Sequence, residues 1–376
     1  MKNFTNRLLL LISLFFVFFI FDLNLIYSSQ EDNSNQKNLF LNDCLSKLSQ
    51  IYSISDTWFD RYYIFRQSPY NSYSIIYNDV PLNNILDGSF SNNLFLLSNS
   101  EYQTKQQSID IFTNTNSLLN GVNISDTDID SNLINLKIQG GNIFGNSAFI
   151  LRNKSDNLYW TTKINYITSS GYDISRKKND SISLSRSNSA NEQLSVNFKF
   201  GIFDNKSSIS LEYNFSQINQ QFPYSLRKNE QIYLREPNTK YNFINIKFNT
   251  LMNSDLNILG NLYFVRKNTF MERFDNNEFN SMNLETSFKK YFDESKYGIN
   301  SSIEFTEGIL PPGIIALNYN RENIKYQNNS EKAINSFSLE RLSLGIDFFD
   351  TTSVLSYDFS IYYKILNPLT VYMDFE

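Results

Sequence analysis

The chain has 376 residues, with 33 Lys plus Arg against 38 Asp plus Glu, and a formal charge of −5. It holds no His and a single Cys, Cys44. These counts exclude an internal disulfide, a basic nucleic-acid-binding face and the ordinary Ser/His or Cys/His nucleophile pair. The chain is therefore read as a non-enzyme that needs no cofactor. Aromatic residues reach 16%, carried by 33 Phe and 24 Tyr, which suit half-buried pleated surfaces and membrane-interface belts.

At the N-terminus, Lys2 and Arg7 precede an apolar run from Leu8 to Phe21. Ser28-Ser29 then leads into the polar stretch Gln30–Lys37. That is the three-part layout of a secretory signal peptide, and residues 1–29 are assigned to it. The run is shorter than the roughly 20 residues a spanning helix needs. No later segment could span a membrane as a helix, so the mature chain either stays outside lipid or crosses it as β-strands.

Residues 30–142 alternate weakly. Cys44, Leu45, Leu48 and Ile51 fall on one face of a predicted helix, Asp43–Ile51. Short apolar runs follow at Tyr73–Tyr77, Leu94–Leu97 and Ile109–Phe112. This reads as a small α/β module.

From 143 to 376 the chain has period two. Leu194, Val196, Phe198, Phe200 and Ile202 alternate with polar neighbours, and the break Asp204-Asn205-Lys206 follows. Ile209, Leu211, Tyr213 and Phe215 then alternate with Ser208, Ser210, Glu212 and Asn214. Period two broken by short polar turns predicts antiparallel hairpins. Further breaks are expected at 253–255, 293–295 and 350–352, with long polar connections at 169–190, 217–240 and 267–280. Short turns on one side and long loops on the other are the pattern of an outer-membrane barrel. At roughly 20 residues per strand with its connection, residues 144–376 allow about 12 strands.

The order of the first module adds a family. Phe65-Arg66-Gln67 stands at a turn after the helix. Ser74-Ile75-Ile76-Tyr77-Asn78-Asp79-Val80-Pro81-Leu82-Asn83 forms a strand and its exit. Ser117-Leu118-Leu119-Asn120-Gly121 makes a second turn, and Asn132-Leu133-Ile134-Asn135-Leu136-Lys137 a last strand. With the barrel-like alternation after it, and Ser170-Gly171-Tyr172 and Phe222-Pro223 in the long loops, this order resembles the TonB-dependent receptor family. The resemblance implies a signal peptide, a plug domain over 30–142 and a barrel from 143 onward. That family's barrel has 22 strands, so this chain is read as the plug and the N-terminal part of the barrel, truncated or degenerate. Asp79, Gln67 and Ser131-Asn132 replace glycines of the family pattern, so these turns must be built differently. No clear N-terminal energy-coupling box is found between Gln30 and Asn42.

The resemblance implies an outer-membrane receptor that binds and imports a scarce ligand, such as a metal chelate, vitamin or oligosaccharide. Its implied partners are outer-membrane lipid and lipopolysaccharide, and an inner-membrane energy-coupling protein of the TonB type. The ligand path is expected near Arg66, Tyr70 and Asn83 of the plug and near Tyr172 and Arg176 of the first long loop. The alternative is a plugless porin, or a structural or adhesive barrel.

Other chemistry-bearing patterns are weaker. Asp126-Thr127-Asp128-Ile129-Asp130 opens like a calcium loop, but Ser131 and Lys137 stand where Gly and Glu belong, and it is read as a solvated loop. Asp173, Asp180, Glu230 and Glu236 lack the spacing signature of a glycosidase pair. Arg176-Lys177-Lys178 and Arg227-Lys228 are basic loop clusters, read as contacts to anionic lipopolysaccharide or as solubilising charge.

Overall fold

In a computed structural model of the chain, the described residues are 51–55, 61–65, 73–82, 102–107, 120–126, 132–140, 144–170, 172–175, 183–186, 190–222, 233–276, 278–305, 312–328, 334–349 and 354–361. The proposed signal peptide, all but the last residue of the predicted helix, and the break expected at 350–352 lie outside them. Ile51, the helix's expected end, opens a strand.

Nineteen strands are defined among these residues. β1 (Ile51–Ser55) pairs antiparallel with β2 (Arg61–Phe65). A four-stranded sheet joins β3 (Tyr73–Tyr77), β4 (Val80–Pro81), β5 (Tyr102–Gln107) and β6 (Asn120–Asp126) in the order β4-β3-β6-β5. β3 and β6 run parallel within it. Of the apolar runs noted for this module, Tyr73–Tyr77 is a strand, while 94–97 and 109–112 lie outside the described residues.

The remainder is dominated by one antiparallel sheet of 11 strands. Its members are β7 (Leu133–Gly140), β8 (Phe144–Lys154), β9 (Leu158–Ser169), β12 (Asn191–Phe203), β13 (Ser207–Phe222), β14 (Tyr233–Asn253), β15 (Leu256–Phe274), β16 (Phe288–Phe305), β17 (Gly313–Asn328), β18 (Ile334–Phe349) and β19 (Val354–Ile361). Each pairs with its neighbour in chain order, except that the small hairpin of β10 (Tyr172–Ser175) and β11 (Ser183–Arg186) sits in the connection between β9 and β12. Among the described residues the sheet is not closed: β7 and β19 are its edges. Ten of the eleven lie within residues 144–376, where about 12 are expected.

The turns at 204–206 and 254–255 fall where the polar breaks predict them. The break expected at 293–295 is a correction. β16 runs unbroken through Asp293, Glu294 and Ser295, because each charge has a partner or a face that accepts it. Asp293 is paired with Arg266, and Glu294 is buried on the opposite face. The long connections also contract. β13 continues to Phe222 and β14 starts at Tyr233, so the expected loop 217–240 shrinks to 223–232; that expected at 267–280 moves to 275–287. Polar residues at strand ends read as loop in the sequence, yet here they extend the ladder. Pro237 explains part of the ambiguity: lacking an N–H, it falls where the β14–β15 register skips between Arg235 and Lys240. Finally, the strand expected to close the plug module, at Asn132–Lys137, pairs as β7 with β8 in the large sheet.

The large sheet is inverted relative to a water-soluble one. Along β12, Gln193, Ser195, Asn197 and Lys199 are buried, while Phe198 and Ile202 between and beyond them are exposed. The same holds on β13, where Glu212, Asn214 and Ser216 are buried and Ile209 and Leu211 exposed. Directly opposed partners share a face in an antiparallel pair, so the exposed apolar face continues across strands from Leu211 to Ile246, Leu262, Ile299, Tyr319 and Leu342. On β15 it runs from Leu256 through Ile258, Gly260 and Leu262 to Phe264. Nine residues rise about 30 Å, or roughly 23 Å along the normal at a tilt near 40°, which matches the apolar band of a membrane barrel.

Candidate functional site

The best-defined site lies where the β3–β4 hairpin meets the polar face of the large sheet. Asn78 and Asp79 form its two-residue turn, with φ of 47° and 67°. Positive φ at both central residues marks the type I′ hairpin geometry, whose twist suits paired strands. Asn and Asp tolerate this conformation better than other residues with a Cβ, at a cost of about 1 kcal/mol each. Asp79 thus adopts the left-handed geometry itself at a position where the family pattern has Gly.

The sheet offsets that cost through contacts. The Asn78 carbonyl accepts from the Asn245 and Asn261 amides at 3.2 and 3.3 Å. The Asp79 carbonyl accepts from Asn300 at 2.8 Å. Lys247 places its ammonium 2.9 Å from the Asp79 carboxylate, a half-exposed pair worth at most about 1 kcal/mol. Glu212 does more. Almost fully buried, it accepts from the Tyr77 hydroxyl at 3.1 Å, from the Asn78 amide at 3.3 Å and from Asn197 at 3.0 Å. Tyr77 is fully buried and its ring lies 6.1 Å from that of Phe243, itself fully buried. One apolar contact, the Glu212 carboxylate and three amide donors therefore hold the tip against four successive strands, β13 to β16, while Asn197 of β12 braces Glu212.

Cross-strand register explains the convergence. Glu212 stands directly opposite Asn245, and Asn261 opposite Asn300, which in turn faces Asn318. The inner face is thus a polar wall rather than an apolar core. Further along it, Lys296 and Glu322 are opposed and form a buried ion pair at 3.5 Å. Such a wall suits a water-lined or plugged lumen. Its neutral amides and compensated charges hold polar surface without committing to one net charge.

Of the residues expected on the ligand path, Tyr172 opens β10 and pairs in register with Arg186. Arg66, Tyr70, Asn83 and Arg176 lie outside the described residues. Asp126 closes β6, and the rest of the calcium-loop pattern lies outside them too. The contact residues Asn245, Asn261, Asn300 and Lys247 are not singled out by sequence. Glu212 is marked only as a polar alternate. The local signal places each of them on the polar face; which of them meet the hairpin tip depends on the register of four strands, and no short window carries that.

On the long-loop side, the connection between β15 and β16 is organised by Asp275. Its carboxylate accepts from the backbone N–H groups of Asn283 and Leu284 and from the hydroxyls of Ser281 and Ser287. The Ser287 hydroxyl foremost, with the other donors, holds this carboxyl below its ordinary value against a smaller upward push from desolvation. At the short turn 204–206, Asp204 is lowered likewise by the N–H groups of Lys206 and Ser207.

No family model matches the chain, and no curated protein matches it. Solved structures do share its fold. The copper transporter OprC superposes with a TM-score of 0.62 at 9% identity, over 83% of this chain and 50% of that one. The Serratia marcescens hemophore receptor HasR, solved with its hemophore HasA and heme, gives 0.57 at 11% identity, over 85% and 48%. The ferric citrate transporter FecA in its unliganded form gives 0.52 at 8% identity, over 87% and 60%. The chain thus spans about half to three fifths of the length of the structures it resembles. At these identities the likeness is one of fold: a large antiparallel sheet like the barrels of TonB-dependent receptors.

Proposed function

We propose that the chain is the plug and part of the barrel of an outer-membrane receptor that imports a scarce small ligand. In this reading residues 1–29 direct export, 30–142 close the lumen and the large sheet spans the outer membrane. The observation that carries it is the docking of Tyr77, Asn78 and Asp79 on the polar inner face of a sheet whose other face is apolar and exposed. A soluble sandwich buries its apolar face. A plugless porin has no reason to seat a hairpin on four strands of its wall. The similar structures, a copper transporter, a ferric citrate transporter and a hemophore receptor in complex with its hemophore and heme, support a metal ion, a metal chelate or a metal-bearing carrier as the ligand class. An inner-membrane partner of the TonB type would supply the energy to move the plug. Tyr172 and Arg176 in the first long loop, with Arg66, Tyr70 and Asn83 in the plug, are proposed to line the ligand's path.

Limited proteolysis of intact cells bearing the full chain tests this reading. Cleavage in the loops 170–190 and 275–287, with protection throughout 38–142, is the expected result. Cleavage within 73–82 at the same protease dose would mean that the hairpin does not sit inside a barrel.

A further inference from the structure

We infer that the inner face of β8, β9 and β12 guides a multiply charged anion, so that the imported ligand is an anionic complex rather than a bare metal cation. The inference rests on the plug-and-barrel reading above and narrows its ligand class. On β14 and β16 the inner cations meet counter-charges: Lys247 lies 2.9 Å from Asp79 and Lys296 lies 3.5 Å from Glu322. On β8, β9 and β12 that balance fails. Their inward register positions hold Lys154, Arg152, Lys163 and Lys199, and no Asp or Glu. Arg152 and Lys199 stand in one row, on either side of Thr161. Lys163 is in the next row toward the long loops and Lys154 in the next toward the short turns. With strands about 4.8 Å apart and like-facing residues about 6.8 Å apart, these four backbone positions fall within a strip roughly 10 Å wide and 14 Å long. The carboxylate next in register is Glu212, opposite Lys199 on β13, which accepts from Tyr77, Asn78 and Asn197.

Lys163 is fully buried, and Arg152 and Lys199 are nearly so. Burial on one face of a single sheet requires cover, and in the reading above the plug supplies it. Gathering like charges out of water is costly, so such a strip calls for an anionic occupant. Lys199 is one strand away from Glu212, which seats the hairpin tip, so a plug that leaves its seat opens the strip to the lumen. Two of the lysines are steadied without being neutralised. Lys199 Nζ lies 6.0 Å from the centre of the Tyr159 ring, and Lys154 Nζ 5.8 Å from that of Phe203. The two rings are 6.1 Å apart, and Tyr159 packs over Gly201, where a Cβ would meet it at 2.3 Å. Cation–π contact fixes a long side chain and leaves its charge in place. Lys and Arg lining a pore make it favour anions. The strip would repel a bare metal cation. A chelate whose carboxylate or phosphate oxygens leave it with two or more negative charges would be drawn along it.

The test measures the ion selectivity of the full chain in planar phosphatidylcholine bilayers. Urea is raised until protease reaches 73–82 while heat-modifiable gel migration shows the large sheet still folded. Under a KCl gradient the wild type is expected to pass chloride over potassium roughly fivefold. Citrate is expected to block the current at concentrations where spermidine does not. Pyrophosphate, as a second arm, tells a phosphate-bearing guest from a carboxylate-bearing one. Lys163→Gln combined with Lys199→Gln should bring the ratio to about one and abolish the block. Lys163→Arg combined with Lys199→Arg keeps the charge and should keep both. Lys240→Gln, on the opposite face of the sheet, should change neither. A conducting wild type that is unselective, prefers potassium or is blocked equally by spermidine overturns the inference and leaves the plug-and-barrel reading intact. A double Gln variant that keeps the chloride preference but releases 73–82 at lower urea shows that the lysines only fasten the plug, and also overturns it. An inserted wild type that never conducts while its sheet is folded overturns both.

Discussion

Single residues decide whether the hairpin tip stays on the wall. Glu212→Ala removes a charged acceptor shared by three donors, the Tyr77 hydroxyl and the Asn78 and Asn197 amides, in a nearly dry environment. A loss of about 3 kcal/mol is expected, measured as a fall in the urea midpoint with increased proteolysis at 73–82. Substitutions in the turn separate backbone conformation from side-chain contact. Asp79→Gly relieves a φ of 67° but removes a half-exposed ion pair, so stability changes by less than about 1 kcal/mol. Asn78→Val puts a β-branched residue at positive φ and deletes the bond to Glu212, which costs at least about 2 kcal/mol. Equal effects of the two turn variants in urea unfolding would show that the tip is not held in this geometry. Asp275 predicts a pH response. Its carboxyl is depressed in the folded loop, so its contribution is present above the ordinary carboxylate range and is lost as pH falls below about 4. Proteolysis of the 275–287 loop should rise over that acid window in the wild type. In Asp275→Asn it should be fast and independent of pH.

Strands carry the inside-out pattern, and their sequence made most of it legible. Alternation along β12 and β13 located both strands and the turn between them, because period two and a polar break are local signals. The face assignment was not legible, since alternation is the same whether the apolar side meets a core or lipid. Interior charges misled at 293–295: three polar residues in a row look like a turn, but Asp293 and Glu294 point to opposite faces, each with its own environment. Glycines in these strands are packing sites. Gly298 lies directly opposite Tyr263, and a Cβ there would meet the Tyr263 hydroxyl at 2.5 Å and the Tyr319 carbonyl at 2.6 Å. The ring covers backbone that glycine leaves bare, the aromatic-over-glycine device of twisted sheets. Gly298→Val is therefore expected to cost about 1–3 kcal/mol, seen as a lower unfolding midpoint. Phe198→Arg, on the exposed apolar face, should cost about 2–4 kcal/mol in a bilayer and much less in a soluble chain, so urea unfolding from lipid vesicles separates the two cases.

For the molecule as a whole, composition excludes a His-dependent active site, and the order of the first module suggests a plug. Strand number was close to expectation because residues per strand and chain length bound it. The docking of the hairpin tip was hidden, because it depends on the stagger of four strands and no motif encodes that. The site residues expected from resemblance, Arg66, Tyr70, Asn83, Tyr172 and Arg176, belong to loops and plug segments, and only Tyr172 falls within a described strand. A membrane-embedded sheet must turn its apolar face to lipid. The decisive measurement places single cysteines, in a Cys44→Ser background, at positions 193 to 200 of β12, labels them with an environment-sensitive fluorophore and quenches with brominated lipid. Strong quenching at 194, 196, 198 and 200 with little at 193, 195, 197 and 199 is predicted. Quenching at the odd positions, or none that alternates, would contradict the membrane-embedded, inside-out sheet.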